Sequence, residues 1–177
     1  WGRIVPGLEA AGARALAPTL TGLADDRLGD GATVGLRTHV EDVVGVLDTL
    51  TNEPVVLVGH SYAGLVVREA ANRRPERVKK IVLVDGWAGP DGSSLLSLAP
   101  TWFGDGIHAA VKDGGHPRLI PAPHPAVFGI GAPDDVRLLE QRLRPQPLRT
   151  FTDPTILTGA VDEIPGVAAA RVADELR

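Results

Sequence analysis

The residues with the clearest chemical promise are Val55-Val56-Leu57-Val58-Gly59-His60-Ser61-Tyr62-Ala63-Gly64. A run of apolar, mostly β-branched side chains passes directly into Gly-x-Ser-x-Gly, and a helical pattern follows. That order presents the Ser61 hydroxyl at the tip of a sharp strand-to-helix turn, where a carbonyl substrate can reach it. A serine hydroxyl attacks poorly until a base removes its proton. The small residues Gly59 and Gly64 let strand and helix pack closely, so the backbone at Ser61 can be strained and exposed. The helix start aims free amides at the reacting centre, and the Tyr62 N–H becomes one donor for an oxyanion. Such a donor is worth about 3 kcal/mol in a working hydrolase. The plain alternative is a serine that caps a helix in an unrelated Rossmann-like turn. A Gly-x-Gly-x-x-Gly dinucleotide fingerprint is absent here, because His60 and Ser61 stand where glycines are needed.

Partners for Ser61 are harder to find among five histidines. His60 adjoins it, but neighbours on a sharp turn point apart. His39 lies beside Val40 on a capped helix and is expected at the surface. His108, His116 and His124 fall in an irregular stretch, which positions a base poorly. Asp85 follows the next apolar strand and is a candidate acid partner; capping a turn at Gly86 as an Asx residue fits it equally. Asp25-Asp26 and Asp134-Asp135 are expected to be solvated in turns or caps. Trp87, Trp102 and Phe103 flank the irregular stretch and either line an acyl pocket or pack in the core. The scattered histidines lack zinc-binding spacing, so no metal or cofactor is expected.

The elements that hold these residues follow from periodicity. Residues 1–11 read as a helix through Trp1, Ile4, Val5 and Leu8, closed by Gly12, with Pro6 tolerable only near the first turn. Ala13–Ala17 reads as a short strand stopped by Pro18, and 19–34 as loop. Thr38-His39-Val40-Glu41 has the pattern of a capping box. Val40, Val43, Val44, Leu47 and Leu50 give the helix behind it one buried face. Strands are expected at 55–58 and 81–84, with a helix at 63–73 between them. Short strands apolar at every position, alternating with amphipathic helices, predict an α/β fold with a parallel sheet covered on both faces. Function then gathers at the carboxyl ends of the strands, just where Ser61 and Asp85 lie.

From Gly86 the pattern fades into Gly and Pro until a helix opens at Pro133-Asp134-Asp135 and ends before Pro145. So long a stretch without period reads as a lid or binding insertion. The expected division is a core of 1–85 and 146–177 with a cap at 86–145 over the mouth of the site.

The length, 177 residues with 44% hydrophobic, suits one domain with a real core. A net charge of -4 and no basic run argue against a nucleic-acid surface. No apolar run approaches the roughly 18 residues that would span a bilayer, and the start lacks a signal pattern. Without cysteine there is neither a disulfide framework nor thiolate chemistry. This composition points to a cytoplasmic globular protein acting on a small molecule, its oligomeric state open.

Several separated motifs carry a family resemblance. Ala17-Pro18-Thr19-Leu20-Thr21-Gly22-Leu23, Thr38-His39-Val40-Glu41-Asp42-Val43-Val44 and the 55–64 elbow resemble bacterial α/β-fold hydrolases akin to plant methylesterases and hydroxynitrile lyases. Pro75-Glu76-Arg77-Val78, Leu83-Val84-Asp85-Gly86 and Arg142-Leu143-Arg144-Pro145-Gln146-Pro147-Leu148 fit the same pattern. The resemblance implies a partial α/β-hydrolase fold and a serine enzyme cleaving a small carboxylic ester, with Ser61 as nucleophile and the Tyr62 amide at the oxyanion. It also implies parts that 177 residues do not show. The family's first strands and His-Gly oxyanion loop belong upstream of Trp1, and its triad His beyond Arg177. Residues 166–171 offer no recognisable strand ending in Asp. The chain, which contains no methionine, is therefore expected to be a piece cut at both ends. Two other readings stand beside the esterase. One is a catalytically incomplete fragment or degenerate paralogue; the other is a hydroxynitrile-lyase-like enzyme in which Lys112, the lysine of the insertion, would serve.

Overall fold

A computed structural model describes residues 1–23, 33–50 and 53–169. Pro6 sits in the first turn of α1 (Val5–Ala10), where its missing N–H costs nothing. Gly12 then leaves the helix at φ 84°. α1 is shorter than the 1–11 expected, although Trp1 already accepts from the Ile4 and Val5 amides. The strand expected at 13–17 does not form. This segment has no regular structure, and a groove of about 680 Å³ lies between it and β1, so its amides meet no ladder.

α2 (Leu36–Thr49) starts two residues before the expected cap. Thr38 sits inside the first turn, and its hydroxyl accepts from the Gly35 amide at 3.2 Å. Glu41 does no capping. It takes both Arg73 guanidinium nitrogens at 2.7 and 3.1 Å, an exposed pair of modest worth. Leu36, Val40, Val43, Val44 and Leu47 pack with Leu65, Val66, Val67 and Ala70 of α3 (Ala63–Arg73) in one core. Fully burying each larger side chain contributes about 1.5–3 kcal/mol.

α3 follows β1 (Val55–His60), and a short 3₁₀ turn at Pro75–Arg77 leads into β2 (Val78–Val84). Both strands run past the expected apolar cores because the ladder pairs Val55 with Val78 and His60 with Val84. Beyond β2 come α4 (Leu95–Leu98), α5 (Thr101–Asp113), β3 (Leu119–Ile120), α6 (Pro133–Arg142), β4 (Gln146–Pro147), α7 (Arg149–Thr152) and β5 (Gly166–Ala169). α5 corrects the expectation of an irregular stretch: Phe103, Ile107 and Val111 are spaced for a helix, and Gly104 and Gly106 disguise it. Residues 166–169, where no strand ending in Asp was recognisable, form a strand parallel to β2 that ends at Ala169. The main sheet has the order β1-β2-β5, and β3 pairs antiparallel with β4.

One face of β1 is open, against the expectation of a sheet covered on both sides. Val56 is 43% exposed and Val58 38%, both lining the groove whose far wall is α1 and residues 13–18. Among the described residues β1 pairs with β2 alone. None of the helices described is long and apolar enough to cross a membrane.

The segment returning toward β5 is clamped by side chains. The amides of Ile156, Leu157 and Thr158 donate to Glu69 at 3.0 Å, Asp91 at 2.7 Å and Asn72 at 3.0 Å. Glu69 is 1% exposed; its other oxygen has no hydrogen bond and lies 3.8 Å from Arg37. Burial pushes this carboxyl above its ordinary range, with the Ile156 amide and Arg37 opposing. The folded state therefore binds the Glu69 proton more tightly than the unfolded chain, and ionisation costs stability as pH rises above the usual carboxylate range. Glu69→Gln should remove that slope, so that the variant gains on wild type between pH 4 and pH 8 in urea midpoints. A constant difference across that range would show that Glu69 does not titrate with folding.

Candidate active site

Ser61 has φ 51° and Asp85 φ 45°, the two non-glycine residues recorded in the left-handed region among those described. Such backbone costs on the order of 1–3 kcal/mol and persists only where the surroundings over-determine it. Both follow the carboxyl ends of neighbouring strands, because the residues before them, His60 and Val84, are register partners. The sheet thus sets the two side by side at one edge.

The surroundings of Ser61 can be traced bond by bond. Its N–H donates to the Val84 carbonyl at 3.2 Å, and its own carbonyl accepts from the Gly64 and Trp87 amides, each at 3.0 Å. The two motif glycines make room for this. A Cβ on Gly59 would lie 2.7 Å from the Ala63 carbonyl oxygen and from Val67 Cγ2. A Cβ on Gly64 would collide with the Trp87 carbonyl oxygen and lie 2.8 Å from its nitrogen. The turn is therefore pressed between α3 and the 86–87 loop. Tyr62 takes helical angles, φ -48° and ψ -38°, as the residue before α3. Its N–H meets no acceptor among the described residues.

The histidines fall in different places. His60 is exposed and lines the β1 groove, and Ser61 is not among that groove's lining residues. His108 is exposed on α5, and His124 accepts from the Ala126 amide at 3.2 Å while its ring faces Glu140. The Nδ1 of His116 is buried without a hydrogen bond. His39, expected at the surface, is fully buried. Its Nδ1 lies 3.1 Å from the Tyr62 hydroxyl and its Nε2 2.9 Å from the Thr21 carbonyl. Burial lowers its pKa below 6.5, against the Thr21 contact and the Asp42 charge. The signal was present in the spacing, since position 39 falls on the stripe of Leu36, Val40 and Val43. Burial, and next the Asp153 charge, push the Tyr62 phenol far above its ordinary range, so it remains a donor.

None of the five histidines hydrogen-bonds to the Ser61 hydroxyl among the described residues. Asp85 is exposed beside the turn. Trp87 and Phe103 pack against the core with ring centroids 6.3 Å apart, while Trp102 is exposed. Asp134 and Asp135 lie in the first turn of α6, paired with Arg137 and Arg3. Asp25 and Asp26 lie outside the described residues, as do residues 170–177. No cluster of metal-binding side chains occurs among the described residues.

Comparison with known proteins places these features in context. A family profile described as the alpha/beta hydrolase fold matches residues 1–150. A carbendazim hydrolyzing esterase from Nocardioides sp. is 34% identical over 160 residues, covering 86% of this chain; the chain spans 65% of that relative's length. An extracellular alpha/beta-hydrolase from a Paenibacillus species superposes with a TM-score of 0.83 at 20% identity, over 95% of this chain and 70% of that one. A methylesterase from Arabidopsis gives 0.66 at 20% identity over the same shares. The two structural likenesses show the fold.

The strain at Ser61 and the squeeze at Gly64 are measurable by urea denaturation. Ser61→Gly should stabilise the fold by about 1 kcal/mol, because glycine meets no penalty at this φ. Gly64→Ala should destabilise it by about 1–3 kcal/mol through overpacking against the Trp87 backbone. A Ser61→Gly chain no more stable than wild type would show that the turn is relaxed.

Proposed function

Since the chain belongs to the α/β-hydrolase family, we propose that it is a serine hydrolase cleaving a small carboxylic ester through an acyl-Ser61 intermediate. The observation that carries this reading is the bend itself: Ser61 at φ 51° between β1 and α3, beside a Tyr62 N–H that meets no acceptor among the described residues. In the first step the Ser61 oxygen bonds to the ester carbonyl carbon while a base takes its proton. The carbonyl oxygen becomes an oxyanion facing the Tyr62 N–H. Collapse breaks the carbon–oxygen bond to the alcohol, which leaves with the proton. Water then attacks the acyl-serine by the same route, regenerating Ser61. Asp85 is proposed as the acid that orients the base, on its position beside Ser61. The insertion at 86–145 is proposed as the cap over the acyl site.

A second reading has its own support. With no histidine bonded to the Ser61 hydroxyl among the described residues, this 177-residue chain would be inert as it stands, a catalytically incomplete unit. Nothing observed favours the lyase reading, for which Lys112 is exposed on the last turn of α5.

A fluorophosphonate probe separates the readings, since it labels only an activated serine. The hydrolase reading expects labelling lost in Ser61→Ala, and turnover of p-nitrophenyl acetate that falls as the acyl chain lengthens. Carbendazim, for which the Nocardioides relative is named, is the first further substrate to try. An unlabelled, folded chain would establish the inert reading.

A further inference from the structure

The peptide plane joining Ser61 to Tyr62 carries two groups that point in opposite directions. One is the Ser61 carbonyl, which receives the Gly64 and Trp87 amides; the other is the Tyr62 N–H, which meets no acceptor among the described residues. Rotating that plane, through ψ at Ser61 and φ at Tyr62, would break the two bonds to the Ser61 carbonyl and swing the Tyr62 N–H away from its present direction. Something must oppose the rotation, and part of the opposition lies at the far end of the Tyr62 side chain.

There the hydrogen bonds assign themselves. The Thr21 carbonyl can only accept, so in a neutral imidazole the hydrogen sits on His39 Nε2, 2.9 Å away. Nδ1 is then bare and accepts from the Tyr62 hydroxyl at 3.1 Å. Thr21 is fixed in turn by Asp42, one helical turn beyond His39, through its amide at 2.7 Å and its hydroxyl at 2.9 Å. The Tyr62 ring meets His39 edge-on at 5.8 Å and Phe151 of α7 at 5.7 Å. The chain runs from the exposed Thr21–Asp42 pair to the buried His39 ring, and its inner links hold the Tyr62 hydroxyl in one arrangement.

We propose that His39 is a positioning residue: by holding the Tyr62 hydroxyl it locks the Ser61–Tyr62 peptide plane and keeps the Tyr62 N–H aimed at the oxyanion. The catalytic half of this statement rests on the acyl-Ser61 reading; the anchoring half does not.

The test uses Tyr62→Phe, which removes one hydroxyl, beside His39→Phe, His39→Gln and the Tyr62→Phe/His39→Phe double variant. Hydrogen exchange at the Gly64 and Trp87 amides reports the peptide plane, and the Ala70 amide inside α3 serves as the internal reference. Loss of one buried hydrogen bond should speed exchange at Gly64 and Trp87 about tenfold in either Phe variant, and no further in the double variant. His39→Gln, which keeps a donor for Thr21, should lie between His39→Phe and wild type. In esterase assays Tyr62→Phe should lower kcat about tenfold with KM within about twofold. Unchanged exchange in Tyr62→Phe, or single effects that multiply in the double variant, overturns the anchoring. A raised KM with kcat intact overturns the positioning role. If the wild-type chain cleaves no ester, the acyl-Ser61 reading fails while the exchange data still decide the anchoring. Should His39→Phe fail to fold, Tyr62→Phe and His39→Gln decide it alone.

Discussion

The left-handed backbone at Ser61 is the constraint around which the described structure is arranged. A residue with a Cβ stays at φ 51° only if its neighbours leave it no alternative. Here the ladder fixes it from behind through Val84, and two amides grip its carbonyl from in front. Gly59 and Gly64 let the flanking backbones come near enough to do so. The bend is thus held by the sheet, by α3 and by the 86–87 loop together. Holding a residue with a Cβ in the left-handed region is energetically uphill, and the core built from α2 and α3 supplies the rigidity that sustains it.

Much of this was legible in the amino-acid order. Unbroken apolar runs marked β1 and β2, and the stripe on α2 and the ends of α3 read cleanly, because burial on a fixed period leaves a strong imprint. What escaped notice had physical causes. α5 carries two glycines and only a thin apolar edge, so its helical spacing was diluted. β5 begins at a glycine and is rich in alanine, and it takes its strand form from pairing with β2 rather than from its own propensity. The segment at 13–17 alternates apolar and polar residues only weakly, is mostly alanine, and has no ladder to join among the described residues. Local propensity cannot anticipate a partner, or the want of one.

The site was legible to a different degree. Gly-x-Ser-x-Gly announced the turn, and the register of β1 on β2 put Asp85 next to it, as strand order suggested. His39 was misplaced because a histidine on an apolar stripe reads as a boundary residue until its two partners are seen, and both lie far off in sequence, at Thr21 and Tyr62. Glu69 carries no sequence signal for the same reason. Its value as an acceptor depends on Ile156, 87 positions later.

The uncovered side of β1 has a consequence for handling the chain. Among the described residues the outer edge of β1 has no partner strand, so alternate residues of the strand offer backbone donors and acceptors there beside the exposed Val56 and Val58, and Trp1 and Leu16 stand exposed nearby. Such a rim is a template for any extended polypeptide, another copy included. Concentrated solutions of these 177 residues would accordingly tend toward fibrous or amorphous self-association, and a short lysine- or proline-bearing mask over that rim would be the rational solubilising graft.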